Sequence, residues 1–307
     1  MIIIGAGMAG LIAAHHFRRF KPVIIEAQPS MPHNHTAVLR FRSPAIGHLT
    51  GVPFRRVRVD KAVFSGGKVH TSPTLRDFNQ YAQKVSGTIA SRSIGNIDPC
   101  ERWIAPDNFV DLMAKGLPAT IQFGQEFDMG YVSDGCPIIS TIPMHSLAAA
   151  TASPNGLHCT CTPVHTITAD LGPDCDVYQT VYAPEPELGW YRASITGRKL
   201  IVEGAGCTPI FAGGLPDCLA SVFGIQANAI ENVQHNIQRM GKICDVDDAQ
   251  RKSFIVRMTH NFHIYSLGRF ACWRHTMLDD LVGDLQVIDS IITHGSNYGA
   301  MIRKDRG

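Results

Sequence analysis

The chain has no apolar run of the roughly 18 residues that a transmembrane helix requires, so its sequence predicts no membrane span. It also lacks the charged and then apolar start of a secretory signal peptide. Its nine cysteines are an odd number without the spacing of a disulfide framework, which indicates reduced thiols and a cytoplasmic location. The formal net charge of +2 gives no overall field that favours nucleic acid.

A glycine-rich turn near the start of the chain is the most informative motif that is present. Gly5, Gly7 and Gly10 form a G-x-G-x-x-G pattern between an apolar strand, Ile2–Ile4, and a predicted helix, Leu11–Phe20. In such a turn the first glycine permits a tight bend, the second lets the backbone approach a pyrophosphate, and the third allows close packing of helix on strand. The start of the helix adds unpaired N–H groups and the positive end of its dipole.

A second apolar strand follows this helix and ends in an acid, Glu26. A carboxylate about twenty residues after the glycines accepts hydrogen bonds from ribose hydroxyl groups in dinucleotide-binding folds. The sequence therefore predicts a bound dinucleotide. The predicted contacts from this first β-α-β unit are Gly5, Gly7, Met8, Ala9, Gly10, Glu26 and Ala27.

Three other signatures are incomplete. The run Gly204–Pro209 begins like a second G-x-G-x-x-G but has proline in place of the third glycine, so the sequence predicts no site for a pyridine nucleotide. There is no G-x-S-x-G elbow for a serine hydrolase. His158, Cys159 and Cys161 alternate along a predicted strand and have no second ligand pair at zinc-site spacing, so we predict no metal centre.

Strand and helix patterns alternate at both ends and in the middle of the chain, with β-rich and helical inserts between them. Residues 157–202 are short runs punctuated by glycine and proline and are typical of strands. The longest helical pattern is Cys218–Gly241. Other predicted elements are a hairpin over Arg55–His70, helices over Pro73–Lys84, Asn108–Lys115 (capped by Asp107), Met144–Ala150 and Met277–Ile292, and strands over Thr120–Phe123 and Cys136–Pro143.

These patterns predict an α/β fold with two interleaved domains. A discontinuous Rossmann-like domain for the dinucleotide would comprise residues 1–50, 105–150 and 258–307. An α+β substrate domain would comprise residues 51–104 and 151–257. The sequence leaves the oligomeric state open.

Three separated segments resemble flavoproteins of the amine oxidase and UDP-galactopyranose mutase superfamily. The first is the glycine turn together with Val23–Glu26. The second, Ile138–Pro143, is similar to the strand-Thr-x-Pro element of these flavoproteins. The third, Ile264–Asp280, is similar to the C-terminal segment of the mutase that contains Gly-Arg, an aromatic residue and Met-Asp. The three segments occur in the same order as in that superfamily.

The resemblance implies that the dinucleotide is FAD and that the Rossmann-like domain is an FAD-binding domain. In the superfamily the Gly-Arg pair lies near the FAD phosphates and ribityl chain, and the next helix points its N-terminus at the pyrimidine ring of the flavin. Asp279 matches the second acid of the family's Asp-Met-Asp, whereas Met277 and Leu278 replace the first two residues. The implied cofactor contacts outside the first unit are Arg40, Thr141, Gly268, Arg269, Met277, Leu278 and Asp279.

The chain departs from these flavoproteins just beyond Glu26, where they usually carry a Gly-Gly near an arginine or lysine. Here the polar stretch Met31–Arg40 occupies that space. It contains His35, which is either a proton shuttle near neutral pH or an ordinary polar loop residue.

Basic and aromatic residues supply the remaining candidates. Between positions 40 and 68 the chain has seven Lys and Arg residues and one acid, which form either a solvated strand face or an anion-recognising edge. The run Trp190–Arg192 resembles a mutase strand with an active-site Tyr-x-Arg, although a core aromatic beside a surface arginine also fits. The predicted catalytic residues are Arg192, Tyr191 and His35, and the predicted substrate contacts are Arg42, Trp190 and Trp273.

The resulting hypothesis is an enzyme, an FAD-dependent oxidoreductase that oxidises a C–N bond of an anionic small molecule or a nucleotide- or DNA-linked substrate. Molecular oxygen would reoxidise the flavin, because the sequence has no motif for a pyridine nucleotide. In general character the chain is similar to virus-encoded flavoproteins that act on amino-acid-modified thymines, and such an enzyme would work in the host cytoplasm. A non-redox mutase for a nucleotide sugar and a flavin-stabilised binding protein are the alternatives.

Overall fold

The computed structural model describes residues 1–31, 38–89, 94–117, 119–133, 135–153, 157–205 and 215–304. His35 therefore lies outside the described residues. The strands are β1 (Ile2–Ile4), β2 (Val23–Glu26), β3 (Arg40–Phe41), β4 (Arg55–Ser65), β5 (Lys68–His70), β6 (Cys100–Ile104), β7 (Thr120–Phe123), β8 (Ile138–Ser140), β9 (Cys161–Asp170), β10 (Val177–Tyr182), β11 (Arg192–Gly197), β12 (Lys199–Ala205), β13 (Glu231–Ile243) and β14 (Ile264–Ser266). The α-helices are α1 (Met8–His16), α2 (Ala45–Thr50), α3 (Leu75–Ser86), α4 (Phe109–Lys115), α5 (Met144–Ala150), α6 (Leu215–Phe223), α7 (Asp248–Phe262), α8 (Arg269–Cys272) and α9 (Leu281–Lys304).

A parallel sheet of five strands contains the N-terminus, in the order β14-β8-β1-β2-β7. Its three central strands, β8, β1 and β2, are short and mostly apolar because helices cover both faces of a parallel sheet and bury the side chains on each. Ile3, Ile24 and Ile139 are fully buried in it. All five strands end at the same edge, which we call the carboxyl edge. This sheet confirms the predicted Rossmann-like part of the α/β fold.

A second sheet contains nine strands, with the path β13-β9-β12-β11-β10-β4-β6-β3 and with β5 paired to β4. Alternation gives it two unlike faces. One face is apolar and packs against α6, with Ile167, Ile195 and Val202 of the sheet in the same cluster as Leu219 and Val222 of the helix. The opposite face contains buried hydroxyl and charged residues, and we call it the polar face.

Local signals in the sequence predicted several elements of this sheet and its surroundings. The hairpin is confirmed: Ser65 pairs with Lys68, and both intervening glycines have positive φ, as a two-residue turn requires. The helix α3 is confirmed too, and its capping box joins Thr74 and Asp77. The predicted strands in residues 157–202 are present as β9 to β12.

The predicted helix over Cys218–Gly241 is wrong. The helix α6 ends at Phe223, and Gly224 adopts a φ of +65°, the left-handed conformation that terminates helices. The following residues form the long strand β13. Val233 and Ile237 are four residues apart, which fits a helix face, but both are β-branched and even-numbered spacing fits a strand face equally well.

Smaller differences concern helix ends. The first helix begins at Met8 and ends at His16, so it includes three residues of the glycine motif that the prediction left in the turn. Asn108, not Asp107, precedes α4, and its side chain makes no capping hydrogen bond. The last helix begins at Leu281 after a 3-10 turn and is longer than predicted. Among the described residues, no helix combines the length and apolar character needed to cross a membrane. The domain boundaries stay a prediction.

Candidate functional site

The glycine turn follows β1 at the carboxyl edge, and its three glycines have different surroundings. Gly5 has a φ of +95°, and a Cβ there would lie 2.6 Å from Thr141 Oγ1. A Cβ at Gly10 would overlap the carbonyl oxygen of Gly5. A Cβ at Gly7 would meet no atom within 4 Å. The fold itself therefore requires glycine at two positions, whereas the third leaves open space before the first turn of α1, where a pyrophosphate would fit.

Glu26 ends β2 beside this turn and is 8% exposed. The Ala6 N–H donates to Glu26 Oε2 at 2.7 Å, and the Gln28 N–H donates to Glu26 Oε1 at 2.8 Å. These bonds fix the carboxylate, and since each carboxylate oxygen has two acceptor sites, both oxygens retain capacity for ribose hydroxyls. Ala27 directly follows Glu26 at this edge.

The other two motif segments meet the glycine turn. Thr141 follows β8, and its Oγ1 and N–H donate to the Ile4 carbonyl at 2.7 and 3.0 Å. Gly268 follows β14 with a φ of +93°, and a Cβ there would lie 3.2 Å from the Cβ of Ala9 in α1. Residues more than 250 positions apart are thus in contact, because β1, β8 and β14 are neighbours and parallel.

Several buried hydroxyl groups in the same segments have no hydrogen-bond partner among the described residues: Ser140 Oγ at the end of β8, Ser266 Oγ at the end of β14, and Thr276 Oγ1. Buried polar groups in proteins are nearly always hydrogen-bonded. A polar ligand such as FAD at the carboxyl edge fits these groups, the open space at Gly7 and the carboxylate of Glu26.

Hydrogen bonds and an ion pair fix the position of the segment that follows α8. Arg269 Nε donates to the Thr276 carbonyl at 3.3 Å. Asp279 Oδ1 accepts the backbone N–H of Arg42 at 2.9 Å, and Asp280 pairs with the Arg42 guanidinium. Burial disfavours the charge of Asp280, but the Met277 N–H and Arg42 outweigh burial and lower the pKa of Asp280. We call the bonds of Asp279 and Asp280 to Arg42 the Arg42 clasp.

The clasp engages two of the predicted contacts and leaves two others. It engages Arg42 and Asp279 within the protein, so a role in binding substrate or cofactor stays a prediction for both. Leu278 lies in the 3-10 turn Leu278–Asp280, and Met277 immediately precedes it with 56% of its surface exposed. Met277 and Leu278 therefore remain available as predicted flavin contacts.

On the polar face, Arg192 of β11 lies opposite Glu203 of β12, which in turn lies opposite Thr166 of β9. The Arg192 guanidinium binds Glu203 through two nitrogens, one of them Nη2 at 2.7 Å from Oε1, and the Tyr191 hydroxyl donates to Oε1 at 3.4 Å. Burial disfavours the charge of Arg192, but Glu203 outweighs burial and raises the pKa of Arg192. Thr166 Oγ1 is buried and has no partner among the described residues.

Two further cations lie on this face. Arg40 of β3 donates to Thr196 Oγ1 at 2.9 Å and to Thr180 Oγ1 at 2.6 Å, so its predicted contact with FAD is untested and its visible role is to join β3 to the sheet. Burial and the charge of Arg192 lower the pKa of Arg40 to about 10. Lys242 Nζ lies 3.8 Å from the centroid of the Tyr191 ring. Three cations share this face with Glu203, which favours an anionic ligand.

The basic residues of β4 have a different environment. Arg55 pairs with Asp176 at 2.8 Å, Arg56 with Glu101, and Arg58 with Asp60 at 3.7 Å. Their side chains are 58%, 64% and 72% exposed. Each has an acidic partner in solvent, which supports the solvated strand face over the anion-recognising edge.

The two candidate tryptophans are core residues. Trp190 is 3% exposed and stacks on Phe64 with ring centroids 6.2 Å apart. Trp273 is also 3% exposed, and its Nε1–H donates to the Cys244 carbonyl at 2.9 Å. Packing accounts for the burial of Trp190, and packing together with a satisfied indole N–H accounts for that of Trp273. The role of both residues as substrate contacts stays a prediction.

Sequence reasoning missed Glu203, Thr166 and Lys242. The sequence did contain a signal for Glu203. It is an acid at the end of the apolar run Leu200–Val202, and it lies on the strand after the one that begins with Arg192. A charge in a buried strand is rarely tolerated without a partner, so this position pointed to an ion pair.

No protein-family model matches the chain, and no curated protein matches it in sequence. Solved structures do match it. Reduced UDP-galactopyranose mutase gives a TM-score of 0.63 at 14% identity, over 95% of this chain and 93% of that chain. The CLA-producing fatty acid isomerase from P. acnes gives 0.58 at 11% identity, over 95% and 97%. L-proline dehydrogenase from P. horikoshii gives 0.55 at 13% identity, over 96% and 93%. At these identities the likeness establishes the fold: the chain has the two-sheet α/β architecture of these enzymes.

Proposed function

We propose that the chain binds FAD at the carboxyl edge and is an FAD-dependent oxidoreductase that oxidises a C–N bond of an anionic substrate. The observation that carries the proposal is the combination of a glycine turn with open space at Gly7 and a polar face with three cations, linked by the segment from Arg40 to Arg42. Arg40 reaches the polar face, and the Arg42 backbone is bound by Asp279. The segment Arg40–Arg42 therefore connects the two regions.

The residues divide into two groups by the part of the complex that they would hold. At the carboxyl edge, Glu26 would accept bonds from the ribose, and the backbone around Gly7 would receive the pyrophosphate. Ser266 and Thr276 would supply hydroxyl groups to the ribityl side of the cofactor. When bound, FAD would accept a hydride, which is a proton with two electrons, from the substrate carbon.

On the polar face, Arg192 would bind a substrate carboxylate or phosphate with Nη1, since Glu203 binds Nε and Nη2 and the side chain is 36% exposed. Lys242 adds a second positive charge and the rim of Tyr191 an aromatic surface. Glu203 fixes the guanidinium in place, which reduces the entropy lost when the substrate binds. These residues position the substrate.

The resemblance to amine oxidases supports oxidation of a C–N bond. The charges of the polar face support an anionic substrate. A nucleotide- or DNA-linked amine, such as an amino-acid-modified thymine, satisfies both. Oxygen as the electron acceptor follows from the proline in Gly204–Pro209, which interrupts the second glycine pattern.

The test is anaerobic mixing of the yellow holoprotein with a panel of amines: amino acids, phosphorylated amines, oligonucleotides with amino-acid-modified thymines, and neutral amines of similar size. We expect an anionic amine to bleach the flavin and oxygen to restore its colour with release of hydrogen peroxide. A panel in which only neutral amines bleach the flavin would contradict the anionic substrate. A colourless protein that FAD cannot reconstitute would contradict the cofactor.

A second candidate is a non-redox mutase for a nucleotide sugar, which the coverage of UDP-galactopyranose mutase over nearly the whole of both chains favours. The same cations would then bind a diphosphate. Conversion of a UDP-sugar that requires prior reduction with dithionite, without net oxidation of the sugar, would distinguish this candidate from the oxidase.

A further inference from the structure

The strand β13 forms an unusually long edge of the nine-stranded sheet. It has 13 residues, whereas β3 at the opposite end has two. Within the described part of the chain, no strand pairs with the side of β13 that faces away from β9. A free edge presents N–H and C=O groups that another strand can bind.

The centre of this strand lacks the usual protection of an edge. Proteins that keep an edge strand unpaired place charges or prolines on it. The run Asn232–Gln238 contains no Asp, Glu, Lys, Arg or Pro. Val233 and Ile237 within it are 49% and 56% exposed. The pairing with β9 is irregular on both sides of Gln234–Gln238 and regular within it, so the irregularities flank a straight central ladder.

The run from Glu231 to Arg239, which contains this ladder and extends beyond it at both ends, is self-complementary in one antiparallel register. With a twofold axis at His235, Val233 of one copy lies opposite Ile237 of the other, and Gln234 lies opposite Asn236. Apolar cross-strand pairs and amide pairs both stabilise antiparallel strands. The same register brings Glu231 of one copy to the end of the ladder where the other copy has Arg239.

Neighbouring registers are less favourable. An axis at Asn236 would place Val233 opposite Arg239, and an axis at Gln234 would place Glu231 opposite Ile237. Each of these sets an apolar side chain against a charge, which removes the benefit of burying it. A symmetric dimer requires the same patch on both copies to match itself, and the register centred on His235 meets this condition.

We propose that two copies of this chain associate through β13, antiparallel and about a twofold axis at His235, so that their nine-stranded sheets join into one. The occupant of the free edge is a second copy because the strand matches its own sequence in apolar pairs, amide pairs and terminal charges. The proposal does not depend on the reaction, since the paired run Glu231–Arg239 contains none of the residues assigned to the cofactor or the substrate.

Sedimentation velocity of the holoprotein over a concentration series tests this interface. Ile237→Lys would bury a charge against Val233 of the other copy, and we expect the dimer dissociation constant to rise by about tenfold or more. The matched control is Val256→Lys on α7, whose side chain is 64% exposed and lies outside the strand. The control is expected to dimerise like the wild type. Circular dichroism and flavin absorbance should be unchanged in both variants.

A charge exchange gives a second measure that does not alter an apolar residue. Arg239→Glu should weaken the dimer because it places two acids together at each end of the ladder, and Glu231→Arg in the same chain should restore it. A monomeric wild type at every concentration would overturn the proposal. So would a dimer that Val256→Lys dissociates, or one that neither Ile237→Lys nor Arg239→Glu weakens.

Discussion

The carboxyl edge of the parallel sheet and the polar face of the nine-stranded sheet are connected through Arg40–Arg42 but are built from different parts of the chain. The carboxyl edge is made of backbone: glycines without Cβ atoms, a helix start, and one acid that binds backbone N–H groups. The polar face is made of side-chain charges whose partners lie on neighbouring strands. The difference teaches that a ligand site can depend on sterics on one side and on charge compensation on the other, so substitutions should affect the two sides differently.

The largest effect is expected within the glycine turn, where two substitutions separate folding from binding. Gly10→Ala should destabilise the protein by about 3 kcal/mol or more, because its Cβ would overlap the Gly5 carbonyl oxygen. Gly7→Val should leave the free energy of unfolding within about 1 kcal/mol, since its φ of −66° and ψ of 175° suit valine and nothing lies within 4 Å of its Cβ.

Gly7→Val should weaken FAD binding by roughly 100-fold or more, because the branched side chain would occupy the space of the pyrophosphate. Urea unfolding of the apoproteins and fluorescence titration with FAD measure the two effects. A Gly7→Val protein that still binds FAD like the wild type would remove the carboxyl edge as the cofactor site.

On the polar face, Arg192→Ala should cost about 2 kcal/mol, a value between those of exposed and buried ion pairs, because it leaves Glu203 buried without its partner. The double variant Arg192→Met with Glu203→Met should recover most of this stability, since no unpaired charge remains. Both variants should lose kcat/KM for an anionic substrate. If the double variant turns over that substrate like the wild type, the ion pair has a structural role only.

The Arg42 clasp predicts a response to pH. The pKa of Asp280 is lowered in the fold, so its ion pair contributes stability above the ordinary carboxyl pKa of about 4, and this contribution is lost as the pH falls through the folded pKa. We expect Asp280→Asn to reduce the free energy of unfolding by about 1 kcal/mol at pH 7. Because asparagine cannot be protonated, the variant should not show the loss of stability that Asp280 causes below pH 4 in the wild type. Thermal unfolding of both proteins from pH 7 to 3 measures it, with Asp111→Asn as an exposed-acid control in α4. Parallel pH curves for Asp280→Asn and the wild type would contradict this interpretation.

The turn and the neighbouring segments of the carboxyl edge could be predicted from the sequence because their information is local or carried by motifs. The spacing of Gly5, Gly7 and Gly10 specifies a turn that short-range sterics determine, and Gly268 could be placed beside it from the resemblance of a whole segment. On the polar face, the sequence predicted Arg40 as a cofactor contact and Tyr191 and Arg192 as catalytic residues, but not the partner of Arg192. Its partner Glu203 depends on the register of β11 with β12, and Arg40 reaches strands about 140 and 155 residues away. Such contacts follow from sheet topology, which no local pattern encodes.

The strand β13 illustrates a different limit. Its run of exposed polar residues with Val233 and Ile237 fits a helix face as well as a strand edge. Pairing with β9 decides between them, since His235 stacks on His165 with ring centroids 5.5 Å apart. Tertiary contacts therefore overrode a weak local preference.

The smallest effect is expected on β4, where Arg55, Arg56 and Arg58 look as basic in the sequence as the polar face. Their acidic partners are on the surface, and exposed ion pairs contribute about 0–1 kcal/mol each. Replacing all three with glutamine should therefore change KM for the anionic substrate by less than about threefold and leave kcat unchanged. Lys242→Gln is the matched comparison, because it removes one charge from the polar face and should raise KM more than the three substitutions together. Turnover measured from low to high salt completes the test, since screening weakens charges in solvent more than those that are partly buried. If the triple variant raised KM more than Lys242→Gln and abolished a steep dependence on salt, the anion would be recognised on β4, and the charges of the polar face would have a structural role only.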